Sequence, residues 1–172
     1  DAAVAEAARK LAAQSSRGSG TKGIVLTPIE RTISGEVIAY PLVRVEIDRP
    51  GRRATVLLKG PSDPAPETLD AVQAQGAKFY PLQLARELDD AILHLRLNEL
   101  EIATLVFKSE GDPAKVLAYD ALLSVHQEHW LVREILNNWT RVLKRIDLTS
   151  RSLVTLIEPG SCFAGTLAEI IF

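Results

Sequence analysis

The residues able to carry chemistry lie close together near the end of this 172-residue chain. Residues 158–169 contain two carboxylates, Glu158 and Glu169, the thiol of Cys162, and a flexible Gly165. Carboxylates transfer protons, a thiolate attacks electrophiles, and a backbone N–H donates to a developing oxyanion. This combination predicts chemistry beside a thioester or a similar carbonyl group.

The local sequence pattern predicts how these residues are positioned. The apolar, partly β-branched run 153–157 predicts a buried strand, which a Pro-Gly pair ends. Helical spacing of apolar residues resumes after Gly165, so a helix should begin there. The start of a helix has unpaired N–H groups and the positive end of its dipole, both of which attract an anion. Glu169 lies one turn into this predicted helix and leans back toward that pocket.

Each of these residues also has a structural interpretation, and the sequence leaves it open. Instead of a catalytic role, Glu169 could have the structural role of a first-turn carboxylate that the helix dipole favours. Glu158 could be a charged residue at a strand end in contact with solvent. Cys162 precedes a helix start, where its pKa would fall, but a small buried apolar residue is the preferred interpretation. His126 and His129 lack the spacing of a zinc-binding pair, so no metal site is predicted.

The run from Arg145 to Glu169 resembles the benzoyl-CoA-dihydrodiol lyases, also called epoxybenzoyl-CoA dihydrolases, of the enoyl-CoA hydratase/isomerase (crotonase) superfamily. Residues 81–112 and 130–134 resemble the same family, and the similarity extends from Gly23 to the end of the chain. The resemblance implies an α/β fold, a crotonase-like (ββα) spiral of parallel strands and helices. The chain would hold only the first half of that domain.

The resemblance also implies roles for individual residues. Gly165 matches the loop glycine whose N–H is one oxyanion-hole donor, and Glu169 matches a catalytic glutamate. In the superfamily the second donor comes from an Ala-Gly pair; residues 109–120 contain none, and we expect this donor near Leu117. The implied reaction is the opening by water of an epoxide of dihydrobenzoyl-CoA, with ring cleavage and loss of formate, in aerobic benzoate breakdown. It needs no redox cofactor, and enoyl-CoA hydration is the enzymatic alternative.

Composition limits the other functional classes. The net charge of −2 predicts neither nucleic-acid binding nor attachment to a membrane surface, and no apolar run has the length of a membrane span. A single cysteine excludes an internal disulfide and fits the reducing cytoplasm. The resemblance implies a CoA thioester as the substrate partner, and we expect further copies of the chain in a homo-oligomer.

The chain begins at Asp1, contains no methionine and stops inside an apolar helical pattern, so we expect a piece of a longer protein. Such a piece would expose Leu167, Ile170 and Ile171 and would tend to associate. The second hypothesis is therefore an inactive fragment that serves only binding or assembly.

The rest of the chain alternates predicted strands and helices, which favours an α/β layered fold. We divide it into a helix with a flexible connection, residues 1–23, and a crotonase-like domain, residues 24–172. Predicted strands are residues 24–26, 40–48, 54–59 and 101–107; predicted helices are residues 1–14, 68–75 and 130–146, one from Pro81 and one capped by Asp112. Residues 49–52 are predicted to form a turn. On the helix from Pro81, Glu87 is expected on the outer, polar face, opposite an apolar stripe of Leu82, Ala85, Leu88, Ile92 and Leu95.

Overall fold

A computed structural model describes residues 1–15 and 23–171 and has the predicted mixed α/β composition. Six strands form one sheet: β1 (Thr32–Ser34), β2 (Val37–Ala39), β3 (Val43–Asp48), β4 (Arg53–Lys59), β5 (Thr104–Glu110) and β6 (Ser152–Thr155). The helices are α1 (Ala2–Ala13), α2 (Leu69–Gln75), α3 (Tyr80–Asn98), α4 (Pro113–Val125) and α5 (Trp130–Asp147), and 3-10 helices cover Gly76–Lys78 and Gly165–Ile170.

The sheet is mixed, with its strands in chain order from β1 to β6. Strands β1 to β4 form an antiparallel meander, whereas β5 is parallel to β4 and β6 is parallel to β5. Parallel neighbours require a crossover, and helices α2 and α3 supply the first while α4 and α5 supply the second. Parallel pairing is thus confined to β4, β5 and β6, and the ends of these three strands lie side by side.

The core lies between one face of the sheet and the crossover helices. Alternate residues of β3 are buried, beginning with Val43 and Val45, and β4 and β5 have the same period. Helix α3 buries its predicted apolar stripe, and its first turn contacts α5, where the Trp139 Nε1–H donates to the Pro81 carbonyl at 3.0 Å. This packing fixes the crossover helices, and with them the loops at the strand ends.

Glu87 corrects the expectation for α3, because its carboxylate is buried rather than on the outer face. One oxygen accepts the Leu42 N–H at 2.7 Å and the other accepts from Gln83 Nε2 at 2.8 Å. Burial raises the pKa of Glu87. The carboxylate holds the turn before β3, and helical periodicity alone does not reveal such a partner.

The first part of the sheet differs from the prediction. Residues 24–26 form no strand; Ile24 packs against the core, and the following Thr27 carbonyl accepts from the Arg86 side chain of α3 at 2.7 Å. The segment is therefore held by side chains and not by a strand ladder. The hairpin of β1 and β2, which turns at Gly35 with φ +57°, was not predicted.

The last strand was predicted at the right place but with the wrong environment. Strand β6 pairs with β5 on one side and is the last strand of the described sheet, and Leu153 and Val154 are each 41% exposed. An edge position explains the exposure, since apolar runs indicate burial only when a neighbour covers them. Strand β5 begins at Thr104, three residues later than predicted.

The N-terminal helix is confirmed as α1, and all of its residues are exposed. Most of the predicted connection, residues 16–22, lies outside the described residues. Within residues 1–15 and 23–171, no helix is both long enough and apolar enough to cross a membrane.

Candidate active site at the carboxyl ends of the parallel strands

The loops that follow β4, β5 and β6 are joined by backbone hydrogen bonds. The Gly60 N–H donates to the Glu110 carbonyl at 2.8 Å, and the Gly111 N–H donates to the Gly160 carbonyl at 3.0 Å. These bonds keep the three loops side by side beyond the ends of the strands. The carboxyl ends of parallel strands are where α/β folds place ligands, and all the predicted catalytic residues follow β6 here.

Two of these glycines are needed for the close approach of the loops. Gly111 has φ +143°, and a Cβ there would lie 3.0 Å from the Gly60 Cα. A Cβ at Gly60 would lie 3.1 Å from the Cys162 Sγ. The backbones therefore come as close as they do only because neither position has a side chain.

Cys162 fills the space beneath these two glycines. Its side chain is buried, and its N–H donates to the hydroxyl of the buried Ser109 at 2.9 Å. Burial raises the pKa of the Cys162 thiol, and a separate hydrogen bond between the thiol and the Ser109 side chain opposes this effect. A reactive cysteine needs a lowered pKa and access, so this environment favours the structural interpretation of Cys162.

Glu158 lies just beyond β6 and is exposed. Its Oε2 lies 2.8 Å from the Nζ of Lys108, a residue of β5. The loop also holds the backbone of Glu158, whose N–H donates to the Ser161 hydroxyl at 2.9 Å. The carboxylate is thus held near the end of β5 while one side remains open to solvent.

Gly165 begins a 3-10 helix of six residues, and not an α-helix as predicted. It has φ +49°, and a Cβ there would lie 1.7 Å from the Asp120 Oδ2 of α4. The Asp120 carboxylate accepts the Thr166 N–H at 2.7 Å and the Thr166 hydroxyl at 2.8 Å. A carboxylate of the chain itself therefore occupies part of the place where the sequence predicted an anion to bind.

Glu169 lies on the exposed side of this 3-10 helix, whereas Leu167 and Ile170 on the other side are buried in the core. The expectation that a fragment would expose Leu167 and Ile170 is wrong, because α4 packs against this helix. Ile171 is 37% exposed, as expected. The buried side anchors the helix, and Glu169 remains open to solvent and substrate.

Leu117 lies in the second turn of α4 with its side chain 52% exposed. At the fifth position of an α-helix the backbone N–H is bonded to the carbonyl four residues earlier, here that of Pro113. Its position does not favour Leu117 as an oxyanion donor. The N–H groups without intrahelical partners belong to the first turn, which Asp112 caps through Ala114 at 2.8 Å.

Sequence reasoning missed three residues that build this region: Lys108, Ser109 and Asp120. Lys108 and Ser109 lie at the end of β5, which was predicted to end at residue 107, so neither was expected to belong to a strand. The sequence pattern of α4 could have pointed to Asp120, because it adjoins Tyr119 on the helix face that buries Val116 and Leu123. A carboxylate beside a buried face needs a partner.

A cavity of about 520 Å³ lies elsewhere, between α3, α5 and the segment after Gly23. Its walls are mostly apolar, with Leu82, Trp130 and Ile135 among them, and Arg86 and Arg141 also line it. None of the predicted catalytic residues lines it. Among the described residues no group of three or more His, Cys, Asp or Glu side chains could hold a metal ion.

Comparison with known proteins identifies a relative. No family model matches the sequence. The chain is 47% identical over 163 residues to the benzoyl-CoA-dihydrodiol lyase of Aromatoleum evansii; the alignment covers 95% of this chain and 29% of that protein. The chain thus spans less than a third of the length of its relative. Over this length it is a homologue of that enzyme, and the resemblance to the benzoyl-CoA-dihydrodiol lyases inferred from its sequence is confirmed.

Proposed function

We propose that the protein is a lyase of the crotonase type that acts on an aromatic-derived CoA thioester. The substrate is an epoxide of dihydrobenzoyl-CoA, and water opens and cleaves its ring with loss of formate. One observation supports this proposal above all: the 47% identity to a benzoyl-CoA-dihydrodiol lyase along almost the whole chain. The arrangement of the loops after β4, β5 and β6 agrees with it.

In this mechanism the thioester oxygen binds near the loop after β6. The Gly165 N–H donates one hydrogen bond to it, and a second N–H comes from residues 109–120. Leu117 lies inside α4, and in the first turn Pro113 has no N–H while Ala114 and Val116 already donate to Asp112. The Lys115 N–H is therefore the better source of the second donor. Donors held in place before the reaction stabilise the charge that develops on this oxygen.

Proton transfer to and from water needs a carboxylate. Glu169 is our first choice because it is exposed and lies four residues after Gly165. Glu158, held by Lys108, lies in the same region and is the second choice. Cys162 is the third and weakest, since burial and a raised thiol pKa oppose a nucleophilic role.

We further propose that residues 24–171 are part of one crotonase-like domain that works in the cytoplasm without a cofactor. The single core supports one domain, because its buried residues run from Ile38 to Ile170. Helix α1, which buries nothing, belongs to a separate N-terminal extension.

The test uses the natural full-length protein and an epoxide of dihydrobenzoyl-CoA. We expect formate and a ring-opened thioester, and Glu169→Gln should lower kcat by about 10²- to 10⁴-fold, the range for loss of an acid–base group. The control is Glu101→Gln, an exposed carboxylate at the opposite end of β5. Hydration of a simple enoyl-CoA without epoxide cleavage would favour the hydratase alternative. Full turnover by Glu169→Gln would remove Glu169 from the mechanism.

An assembly role is the second candidate, and the edge strand supports it. Leu153, Val154, Leu156 and Ile157 are exposed in one run, from 39% to 65%, beside the open edge of β6. Apolar runs at sheet edges promote association. Sedimentation should show a homo-oligomer that Val154→Lys dissociates, and a monomeric wild-type protein would argue against this role.

A further inference from the structure

Asp120 joins helix α4, whose first turn is our proposed source of the second oxyanion donor, to the turn that contains Gly165. It lies on α4, the helix that follows β5, and its partner Thr166 lies in the 3-10 helix that follows β6. We infer that Asp120 is a positioning residue that holds the Gly165–Thr166 turn, and so aims the Gly165 N–H at the thioester oxygen. This inference rests on the proposed function.

Two hydrogen bonds between Asp120 and Thr166 support this positioning role. One carboxylate oxygen accepts the Thr166 N–H at 2.7 Å, and the other accepts the Thr166 hydroxyl at 2.8 Å. Hydrogen bonds to an ionised acceptor are shorter and about twice as strong as neutral ones. Because both oxygens are engaged by one residue, the carboxylate fixes the direction of the backbone at Thr166 and at the peptide before it.

Gly165 is adapted to this contact. It is in the left-handed region with φ +49°, and its Cα faces Asp120 so closely that a Cβ would collide with Oδ2. A glycine alone would leave the turn mobile, since it populates many conformations. The neighbouring carboxylate removes that freedom, and the N–H is directed before substrate arrives.

The surroundings make the contact stable. Asp120 and Thr166 line a crevice together with Tyr80, Tyr119 and Trp139. These aromatic side chains limit the access of water to the hydrogen bonds, which strengthens them. The carboxylate is directed at Thr166 and into this crevice, so it acts on the reaction through the turn and not by touching substrate.

The experiment compares Asp120→Ala with Asp120→Asn in the full-length protein. Alanine removes both hydrogen bonds, whereas asparagine can accept the Thr166 N–H and donate to the Thr166 oxygen. We expect Asp120→Ala to lower kcat by about 10- to 100-fold with little change in KM, as misplacement of a reacting group does. Asparagine should restore most of this loss, and the Thr166 amide, which donates to Asp120, should exchange hydrogen about tenfold faster in Asp120→Ala alone.

Thr68→Ala is the matched control, because it removes a similar side-chain bond to a helix N–H, that of Ala71 at 3.2 Å, away from the site. It should lower the melting temperature without lowering kcat. Unchanged amide exchange in Asp120→Ala overturns the inference, and so does faster exchange with an unchanged kcat. If the wild-type protein does not turn over the thioester, the proposed function fails, and amide exchange still decides whether Asp120 holds the turn.

Discussion

The Nζ of Lys108 and the Oε2 of Glu158 form an ion pair of 2.8 Å that links strand β5 to the segment after β6. The two side chains are partly exposed, 34% and 58% respectively. Exposed ion pairs contribute at most about 1 kcal/mol to stability, so this pair matters for where it holds the Glu158 carboxylate rather than for the fold.

The pair therefore gives a test of Glu158. Lys108→Met frees the carboxylate, and Glu158→Gln removes its charge. If Glu158 takes part in proton transfer, both variants should lower kcat, Glu158→Gln by about tenfold or more. Their melting temperatures should stay within a few degrees of wild type. Unchanged turnover in Glu158→Gln would identify the residue as a solvated strand end.

A side chain at Gly165 should destabilise the protein. Gly165→Ala keeps the N–H but places a residue at φ +49°, which costs about 1–2 kcal/mol, and adds a collision with Asp120. We expect a loss of about 2 kcal/mol or more, measured by urea unfolding. Proline at this position cannot adopt the required φ, so it would disrupt the turn as well as remove the N–H.

The collision can be separated from the backbone cost by a second substitution. Asp120→Gly in the Gly165→Ala background removes the colliding carboxylate, so the double variant should be more stable than the sum of the single losses predicts. Additive losses would mean that the loop relaxes away from Asp120 without cost.

Cys162 should be unreactive in the folded protein. Burial raises the thiol pKa, so at any pH below that value the folded protein contains less thiolate than the unfolded chain. We expect alkylation by iodoacetamide at pH 8 to be slow in buffer and fast in guanidinium chloride, and Cys162→Ala to keep its turnover. Rapid labelling of the native protein at Cys162 would instead support the nucleophile interpretation.

Glu87 should make stability depend on pH. Its folded-state pKa is raised by burial above its ordinary value of 4.5, so its favourable contribution is complete below that value and is lost as pH rises through the folded pKa. Glu87→Gln has no such dependence. The stability of this variant relative to wild type should therefore increase from pH 4 to neutral pH, as measured by urea unfolding at each pH.

Glu87→Leu is the contrasting variant. It removes the acceptor of the Leu42 N–H and should destabilise the protein by about 1–3 kcal/mol at every pH. If the free energies of unfolding of wild type and Glu87→Gln change with pH in the same way, the Glu87 carboxyl group is not shielded from water.

The sequence by itself determined the elements whose signals are local. The stripe of α3, the Asp112 cap of α4, the turn between β3 and β4, and the turn at Pro159 and Gly160 all follow from interactions within a few residues. Strand β6 itself ends earlier than the Pro-Gly pair predicted, at Thr155. The family resemblance, which rests on the run from Arg145, was also available from sequence and is confirmed by the alignment.

Tertiary structure decided which groups meet across long distances in the chain. Asp120 contacts Thr166 from 46 residues away, and Glu87 contacts Leu42 from 45 residues away. A helical wheel treats Glu87 as an outer residue and places Asp120 beside a buried face, but it reveals neither partner, because it records the period of one helix and not the loop packed against it. The exposure of β6 likewise depends on its place at the edge of the described sheet, which an apolar run cannot indicate. Local sequence patterns thus supplied the candidate residues, and only packing showed that Asp120 contacts Thr166 beside Gly165.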